Sequence, residues 1–296
     1  MNSRSSSSPF TRLALALATF AAFAASVAAQ PVIPDSHRVN GFAIGCQAYT
    51  FNRFTAFEAI EKTAEAGGKV IEFYPGQRLS HADPTLKVGH DSADVDAVIA
   101  KLQAKLAQHG LKAVNYGVVG ISKDEAAARK VFEFAKKMGL VAVTTESADA
   151  IATIEKLAVE YDIQVAFHNH AGDYGNPGYK VWNPLYIAGL VEGRDKRLGA
   201  CADTGHWVRA GIKPVEALRI LKGRIISSHL KDLTEFGKRG AHDVVFGTGV
   251  SDIKGILDEL KAQGFRGNIS VEYEFNWEHS VPEVTQCIAF VKAHGS

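Results

Sequence analysis

The chain has 296 residues, 46% of them hydrophobic and 22% charged, and its 33 Lys and Arg balance 32 Asp and Glu to a formal net charge of +1. That balance excludes the basic footprint of a nucleic-acid or anionic-membrane binder, while the length and apolar content suffice for a sizeable core. The three cysteines, Cys46, Cys201 and Cys287, lack the spacing of a disulfide framework, and two sit in apolar strand-like runs where Cys acts as a small hydrophobe.

In chain order, Arg4 and Arg12 precede an apolar run over 13–27, and Val27 and Ala29 occupy −3 and −1 of a cut before Gln30. Residues 1–29 therefore read as a signal peptide. A membrane span is the alternative, but the run is short and Ala-rich, and Pro31 and Pro34 break it at once. Export without a disulfide framework points to the periplasm or to secretion, with no membrane attachment after cleavage. Residues 30–40 form an N-terminal extension, and the about 267 residues left after cleavage are near the size of one TIM barrel.

From residue 41 to the end, short β-rich runs alternate with longer amphipathic ones. The predicted strands are 42–49, 70–74, 112–116, 141–145, 164–168, 198–203, 225–230 and 268–274. The predicted helices are 57–66, 95–109, 124–138, 150–161, 184–191, 214–221, 253–263 and 282–293. Val98, Leu102 and Leu106 show the helical spacing, and Gly110, Gly139 and Gly264 stand at helix stops. Eight strands alternating with eight helices predict an α/β fold, the (β/α)8 TIM barrel, over 41–296. A doubly wound sheet would carry a Gly-rich turn after its first strand, where this chain reads Gln47-Ala48-Tyr49-Thr50-Phe51. The long connection after the seventh strand, from Asp232 to about Ser251, is a candidate lid.

Barrel enzymes place their chemistry at the C-terminal ends of the strands. Those ends carry Glu146 on the fourth strand, His168 and His170 on the fifth, Asp203 with His206 beyond it on the sixth, His229 and Lys231 on the seventh, and Glu272 and Glu274 on the eighth. Strand alternation puts His168 with His170, His229 with Lys231, and Glu272 with Glu274 on one face. A lone His at a strand end is more often a hydrogen-bonded rim residue than a ligand. A whole set of inward ionisable groups on apolar strands needs partners or a cation. Carboxylates and imidazoles without thiolates suit Mn2+, Co2+, Mg2+, Zn2+ or Fe2+. Tyr49, Phe51, Tyr74, Trp207 and Trp277 are candidates for stacking on a sugar ring.

These residues also carry a resemblance. Phe167-His168-Asn169-His170-Ala171-Gly172, Cys201-Ala202-Asp203-Thr204-Gly205-His206-Trp207, Ser228-His229-Leu230-Lys231-Asp232, His242-Asp243 before Gly247-Thr248-Gly249, and Val271-Glu272-Tyr273-Glu274 are similar to motifs of the xylose-isomerase-like TIM-barrel superfamily. Within it, residues 41–293 resemble the sugar phosphate isomerase/epimerase group. The resemblance implies Asp203, His229 and Glu272 as metal ligands, and His206 beside the metal, in contact with metal, water or substrate. A family Glu on the fifth strand is replaced here by His168, so the fourth ligand is either His168 or Glu146, with Glu146 preferred and His168 close by. His242, Trp207 and Glu274 join His206 as candidate substrate contacts. Endonuclease IV-type relatives carry extra histidines on strands two to four that this chain lacks.

The chemistry implied is metal-assisted proton removal next to a carbonyl, through an enediolate. Glu272 is the candidate base, with His168, His170, His206 and Lys231 as further acid/base candidates; Lys231 is equally a candidate ion-pair partner of Asp232 or Glu274. Isomerisation or epimerisation of a small carbohydrate is the leading expectation, β-elimination of a 3-keto-glycoside by a lyase the alternative, and a non-catalytic periplasmic sugar-binding protein the reading from another class. Export and the lack of a dense Arg/Lys cluster favour a free or glycosidically linked sugar over a sugar phosphate. Relatives are often homo-oligomers, and the expected partner is otherwise only the small-molecule substrate.

Overall fold

The structure, a computed structural model, describes Met1, residues 32–172 and residues 176–294; the signal peptide expected over residues 1–29 lies outside them except for Met1. Eight parallel strands close into a barrel: β1 (Ala43–Gln47), β2 (Val70–Phe73), β3 (Lys112–Tyr116), β4 (Ala142–Thr145), β5 (Gln164–His168), β6 (Leu198–Asp203), β7 (Ile225–Leu230) and β10 (Asn268–Val271). Strand β1 closes the ring by pairing with both β2 and β10. A two-residue antiparallel ladder of β8 (Asp232–Leu233) and β9 (Asp243–Val244) stands apart from the barrel.

The outer layer is formed by α1 (Ala56–Glu65), α2 (Val95–His109), α3 (Glu125–Met138), α4 (Ile151–Tyr161), α5 (Pro184–Val191), α7 (Pro214–Ile220), α8 (Ile253–Ala262) and α9 (Val281–Ala293). All but α4 start where the sequence supplies a capping or first-turn signal. Thr55 and Glu58 make a reciprocal capping box on α1, Asp94 and Asp124 cap α2 and α3, and Pro stands in the first turn of α5, α7 and α9. On α2 the stripe Val98, Leu102 and Leu106 is buried against the sheet, worth about 1.5–3 kcal/mol per side chain. Among the described residues, no helix is long and apolar enough to cross a membrane.

Three features depart from the expectations. A short helix α6 (Thr204–Arg209) follows β6 directly; at six residues it is too short to show a periodicity. Strand β10 stops at Val271, so Glu272 and Glu274 lie just beyond the ladder. Long stretches also separate β2 from α2 and β5 from α5, so the one after β7 is not alone.

The barrel interior is graded. At the N-terminal end Ile33, from the N-terminal extension, packs with Ala43, Val70, Val114 and Val141 and closes the bottom with an apolar plug. Higher up the interior turns polar, with Glu72, Asn115, Ser227, Asn268 and Ser270 all buried. The site stands above this layer. All three cysteines are buried, and burial pushes the Cys46 and Cys287 thiols up to about 12.

Candidate functional site

Four side chains at the strand ends converge. One ligand-capable atom from each of His168, Asp203, His229 and Glu272 lies within 4.8 Å of the others, and all four residues are buried.

Asp203 is the pivot. As the last residue of β6 it caps α6, its Oδ1 accepting from the His206 amide at 2.7 Å. That bond turns Oδ2 inward, 3.5 Å from Nε2 of His168 and 3.8 Å from Nδ1 of His229. Asn169 fixes the backbone at the same residue: its Nδ2 donates to the Asp203 carbonyl at 2.9 Å, and its Oδ1 accepts from the Asp203 amide at 3.0 Å.

Both histidines are oriented from behind. Nδ1 of His168 lies 3.0 Å from Oε1 of Glu146, and Nε2 of His229 lies 3.0 Å from Oε2 of Glu72. A carboxylate on the outer nitrogen holds a proton there and leaves the inner nitrogen to carry a lone pair in the neutral ring. The two inner nitrogens, Nε2 of His168 and Nδ1 of His229, are buried without a hydrogen-bond partner. For His229 this holds although Nδ1 is 3.1 Å from Oε2 of Glu272, because the geometry there is not that of a hydrogen bond. Two orphaned imidazole nitrogens facing two carboxylates form a donor set that fits a divalent cation of the Mn2+, Co2+, Mg2+ or Zn2+ kind.

This geometry groups His168, and not the preferred Glu146, with Asp203, His229 and Glu272. Its Oε1 is held at 3.0 Å by both Nδ1 of His168 and the Tyr179 hydroxyl, with His170 Nδ1 at 2.5 Å. Glu146 thus stands behind the His168 ring, in a second group with His168 and His170. The strand-five position is filled by an imidazole in place of a carboxylate.

Lys231 threads into the centre. Its stem packs over Gly205, where a Cβ would come within 2.5 Å of the lysine Cβ, so only glycine fits in the Asp-Thr-Gly-His turn. Its Nζ lies 2.8 Å from Asp203, 2.7 Å from Glu272 and 3.1 Å from Glu274. Asp232, the other candidate partner, is engaged elsewhere. Its Oδ1 accepts from the amides of Leu233 and Ser251, both at 3.0 Å, and its Oδ2 from Gly247 and Gly249, both at 2.9 Å. A Cβ on Gly249 would stand 2.4 Å from this carboxylate. The candidate lid is therefore stapled at its base. It brings Asp243 onto Arg209 at 3.1 Å, and Arg209 in turn holds Glu274 at 3.0 Å.

Charge balance follows from these contacts. Burial would lower the His168 pKa, but the Asp203 carboxylate facing Nε2 at 3.5 Å and the bond to Glu146 push it up to about 10. Burial likewise opposes charge on His229 and Lys231, yet the surrounding carboxylates hold both well above their usual values. Asp203 and Glu272 are driven up by burial and pulled below the carboxylate range by the cations beside them. Burial keeps His206 neutral, its Nε2 3.4 Å from the Lys231 ammonium, and raises Asp243 to about 7.

Above the cluster opens a cleft of about 310 Å³ whose walls include Gln47, Tyr49, Tyr74, His170, Glu272 and Glu274. Tyr49 meets Tyr74 and Trp277 edge-on at 5.2 and 5.9 Å, an aromatic side to the mouth. Two expected aromatics are not available to a ligand: Phe51 and Trp207 are at most 2% exposed and fill the core. The Trp207 expectation is thus corrected, since the turn of α6 that aims His206 at the cluster rotates its neighbour inward. His242 is exposed and stacks on Phe275 at 4.3 Å, outside the cleft walls. Sequence reasoning passed over Glu72, Asn169, Tyr179 and Arg209 as site residues. An inward carboxylate in the apolar run Val70-Ile71-Glu72-Phe73 was the available signal for Glu72.

A family model described as xylose isomerase-like TIM barrel matches residues 60–292. No curated protein matches the chain. Among solved structures, an uncharacterized protein from Parabacteroides distasonis is 32% identical, covering 85% of this chain and 98% of its own, with a TM-score of 0.67. A D-tagatose 3-epimerase-like protein is 17% identical over 85% of this chain and 96% of its own, with a TM-score of 0.65. D-allulose 3-epimerase from Methylomonas sp., solved with D-allulose, is 15% identical over 90% of this chain and 100% of its own, with a TM-score of 0.64. At that identity the two epimerase structures speak to the fold alone.

Proposed function

The chain belongs to the xylose isomerase-like TIM-barrel family, and from that premise we propose that it is a divalent-metal-dependent enzyme that isomerises or epimerises a sugar. The observation that carries this reading is the pair of orphaned nitrogens on His168 and His229, facing Asp203 and Glu272 at the catalytic end of the barrel. Those four residues would hold the cation, which supplies polarisation of a carbonyl and so acidifies the neighbouring C–H.

The remaining work falls to the chain. Glu272 is the member of the four that also lines the cleft, so its carboxylate is placed to take the proton. Glu274 and His170 line the same cleft and are placed to return one. Lys231 holds Glu272 and Glu274 side by side, and keeps Glu272 ionised, as a base must be. Arg209 and Asp243 fix Glu274 from behind. The cleft is at the small end of ligand pockets, suited to one sugar ring, and its walls carry two carboxylates with no Lys or Arg. That lining opposes a phosphate and supports a neutral sugar, in keeping with the proposed export.

The test is incubation of the mature protein with free ketoses and aldoses in D2O with added Mn2+ or Co2+. Deuterium at the carbon next to the carbonyl, with a changed sugar, is the expected result. Release of aglycone from 3-keto-glucosides, with no change in free sugars, would replace the isomerase by a lyase. Tight sugar binding that persists in Asp203→Ala, with no metal dependence, would make the chain a binding protein.

A further inference from the structure

A second concavity, of about 390 Å³, lies beside the cleft on the connection from β5 to α5. Three aromatic residues, Tyr179, Trp182 and Tyr186, wall it together with Asn176, Asn183 and Lys180. None of these served the cluster reading except Tyr179, and Tyr179 is what joins the two spaces. Its hydroxyl donates to Oε1 of Glu146 at 3.0 Å and accepts from the His170 amide at 2.8 Å, while His170 lines the cleft. One side chain thus stands between the two hollows.

The wall is built to hold its shape. Gly172 packs on the Trp182 indole so closely that a Cβ there would touch the ring at 3.2 Å, and Arg239 donates to the Gly172 carbonyl at 2.6 Å. Trp182 and Tyr186 are nevertheless half-buried, with surface left to offer. Asn183 spends its Oδ1 on the Leu185 amide at 2.9 Å, and Asn176 spends its own on the Gly178 amide at 3.0 Å. Each side chain therefore keeps its NH2 as a donor. Flat apolar faces edged by amide and ammonium donors, with no carboxylate in the wall among the described residues, match a carbohydrate ring, whose C–H face is apolar and whose rim is a belt of hydroxyl acceptors.

We propose that this pocket is a second sugar subsite, so that the substrate is a reducing disaccharide with its carbonyl-bearing unit in the cleft and the next ring between Trp182 and Tyr186. The proposal rests on the sugar reading of the cleft, and names the size of the sugar. It places the glycosidic link over Tyr179 and His170.

Calorimetric titration of the Mn2+-loaded protein with glucose and the reducing disaccharides maltose, cellobiose and lactose tests it by binding alone. At least one disaccharide is expected to bind ten or more times more tightly than glucose, and that advantage is expected to fall below threefold in both Trp182→Ala and Tyr186→Ala. Trp182→Phe, which keeps a ring and guards against a folding defect, should restore most of it. No disaccharide advantage in the wild type, or an advantage that survives both alanine variants, would overturn the subsite. The two readings fail separately: disaccharide binding without any turnover sinks the isomerase, whereas turnover of free monosaccharides without a disaccharide advantage sinks the subsite.

Discussion

Replacing Glu72 by Gln isolates the support of the site from its ligands. Glu72 is fully buried, and its Oε2 takes Nε2 of His229 at 3.0 Å, the Ser270 hydroxyl at 3.1 Å and Nδ2 of Asn268 at 3.5 Å. Its Oε1 has no partner. A glutamine can put its amide oxygen where Oε2 stands and its NH2 where Oε1 stands, so all three acceptor contacts survive. What is lost is the charge. A hydrogen bond to a charged group contributes about 1.5–3 kcal/mol and one between neutral groups about 0.5–1.5, so the imidazole loses about 1–1.5 kcal/mol of support. That converts to a roughly tenfold weaker metal site, the low end of what supporting carboxylates usually contribute. The metal-free fold should change little, because removing an unpaired buried oxygen's charge offsets the weaker bond. Calorimetric Mn2+ titration of Glu72→Gln should therefore give an about tenfold higher Kd, with a metal-free Tm within about 3 °C of wild type. An Mn2+ affinity within twofold of wild type would refute the orienting role. A metal-free Tm lowered by more than about 10 °C would instead make Glu72 a structural residue.

Metal uptake should release protons, because His168 and His229 carry raised pKa values and must give up the inner proton to ligate. Titrations at pH 7.5 in phosphate and in Tris should then differ in apparent enthalpy, and equal enthalpies would contradict the assignment. The metal-free chain has its own pH dependence. His168, raised from 6.5 to about 10, stabilises the fold fully below pH 6.5 and loses that contribution as pH rises toward 10. Asp203 and Glu272, both lowered, contribute above the usual carboxylate range and lose it in acid. Metal-free Tm should peak between these limits and fall from pH 6.5 to 9.5; a flat profile there would count against the His168 network. Asp232→Ala strips four backbone amides of their acceptor, at about 1 kcal/mol or more each after water replaces part of the loss. Proteolysis confined to 232–251, with a lowered Tm, is expected, and an unchanged digestion pattern would show that the staple is dispensable.

The barrel was legible because each strand is a short apolar run that ends in polar residues, and most predicted bounds fall within two residues of the observed ones. The exception, β10, ends three residues early, because Glu272 and Glu274 give up the ladder to meet Lys231. The sequence also exposed the inward faces: His168, Asp203, His229 and Glu272 meet where strand alternation put them. It preferred Glu146 to His168 as the fourth ligand, although both point to the same end. The choice depends on a bond between neighbouring strands, Glu146 to Nδ1 of His168, that no local pattern encodes. Glu72 and His229 are partners across 157 positions, and Trp207 is turned inward by a helix too short to register. Tyr179 escaped because it sits between β5 and α5, where the Asn183 cap concerns the next helix.

The metal-dependent reading of the site rests on which residues hold the cation. Mn2+ titration of the metal-stripped protein, followed by metal analysis, measures this directly for wild type, His168→Gln and Glu146→Gln. The structure predicts one tightly held equivalent in the wild type, an affinity loss of about 100-fold or more in His168→Gln, and a loss of only about tenfold in Glu146→Gln, which supports the ring from behind. No stoichiometric binding in the wild type, or a larger loss in Glu146→Gln than in His168→Gln, would contradict it.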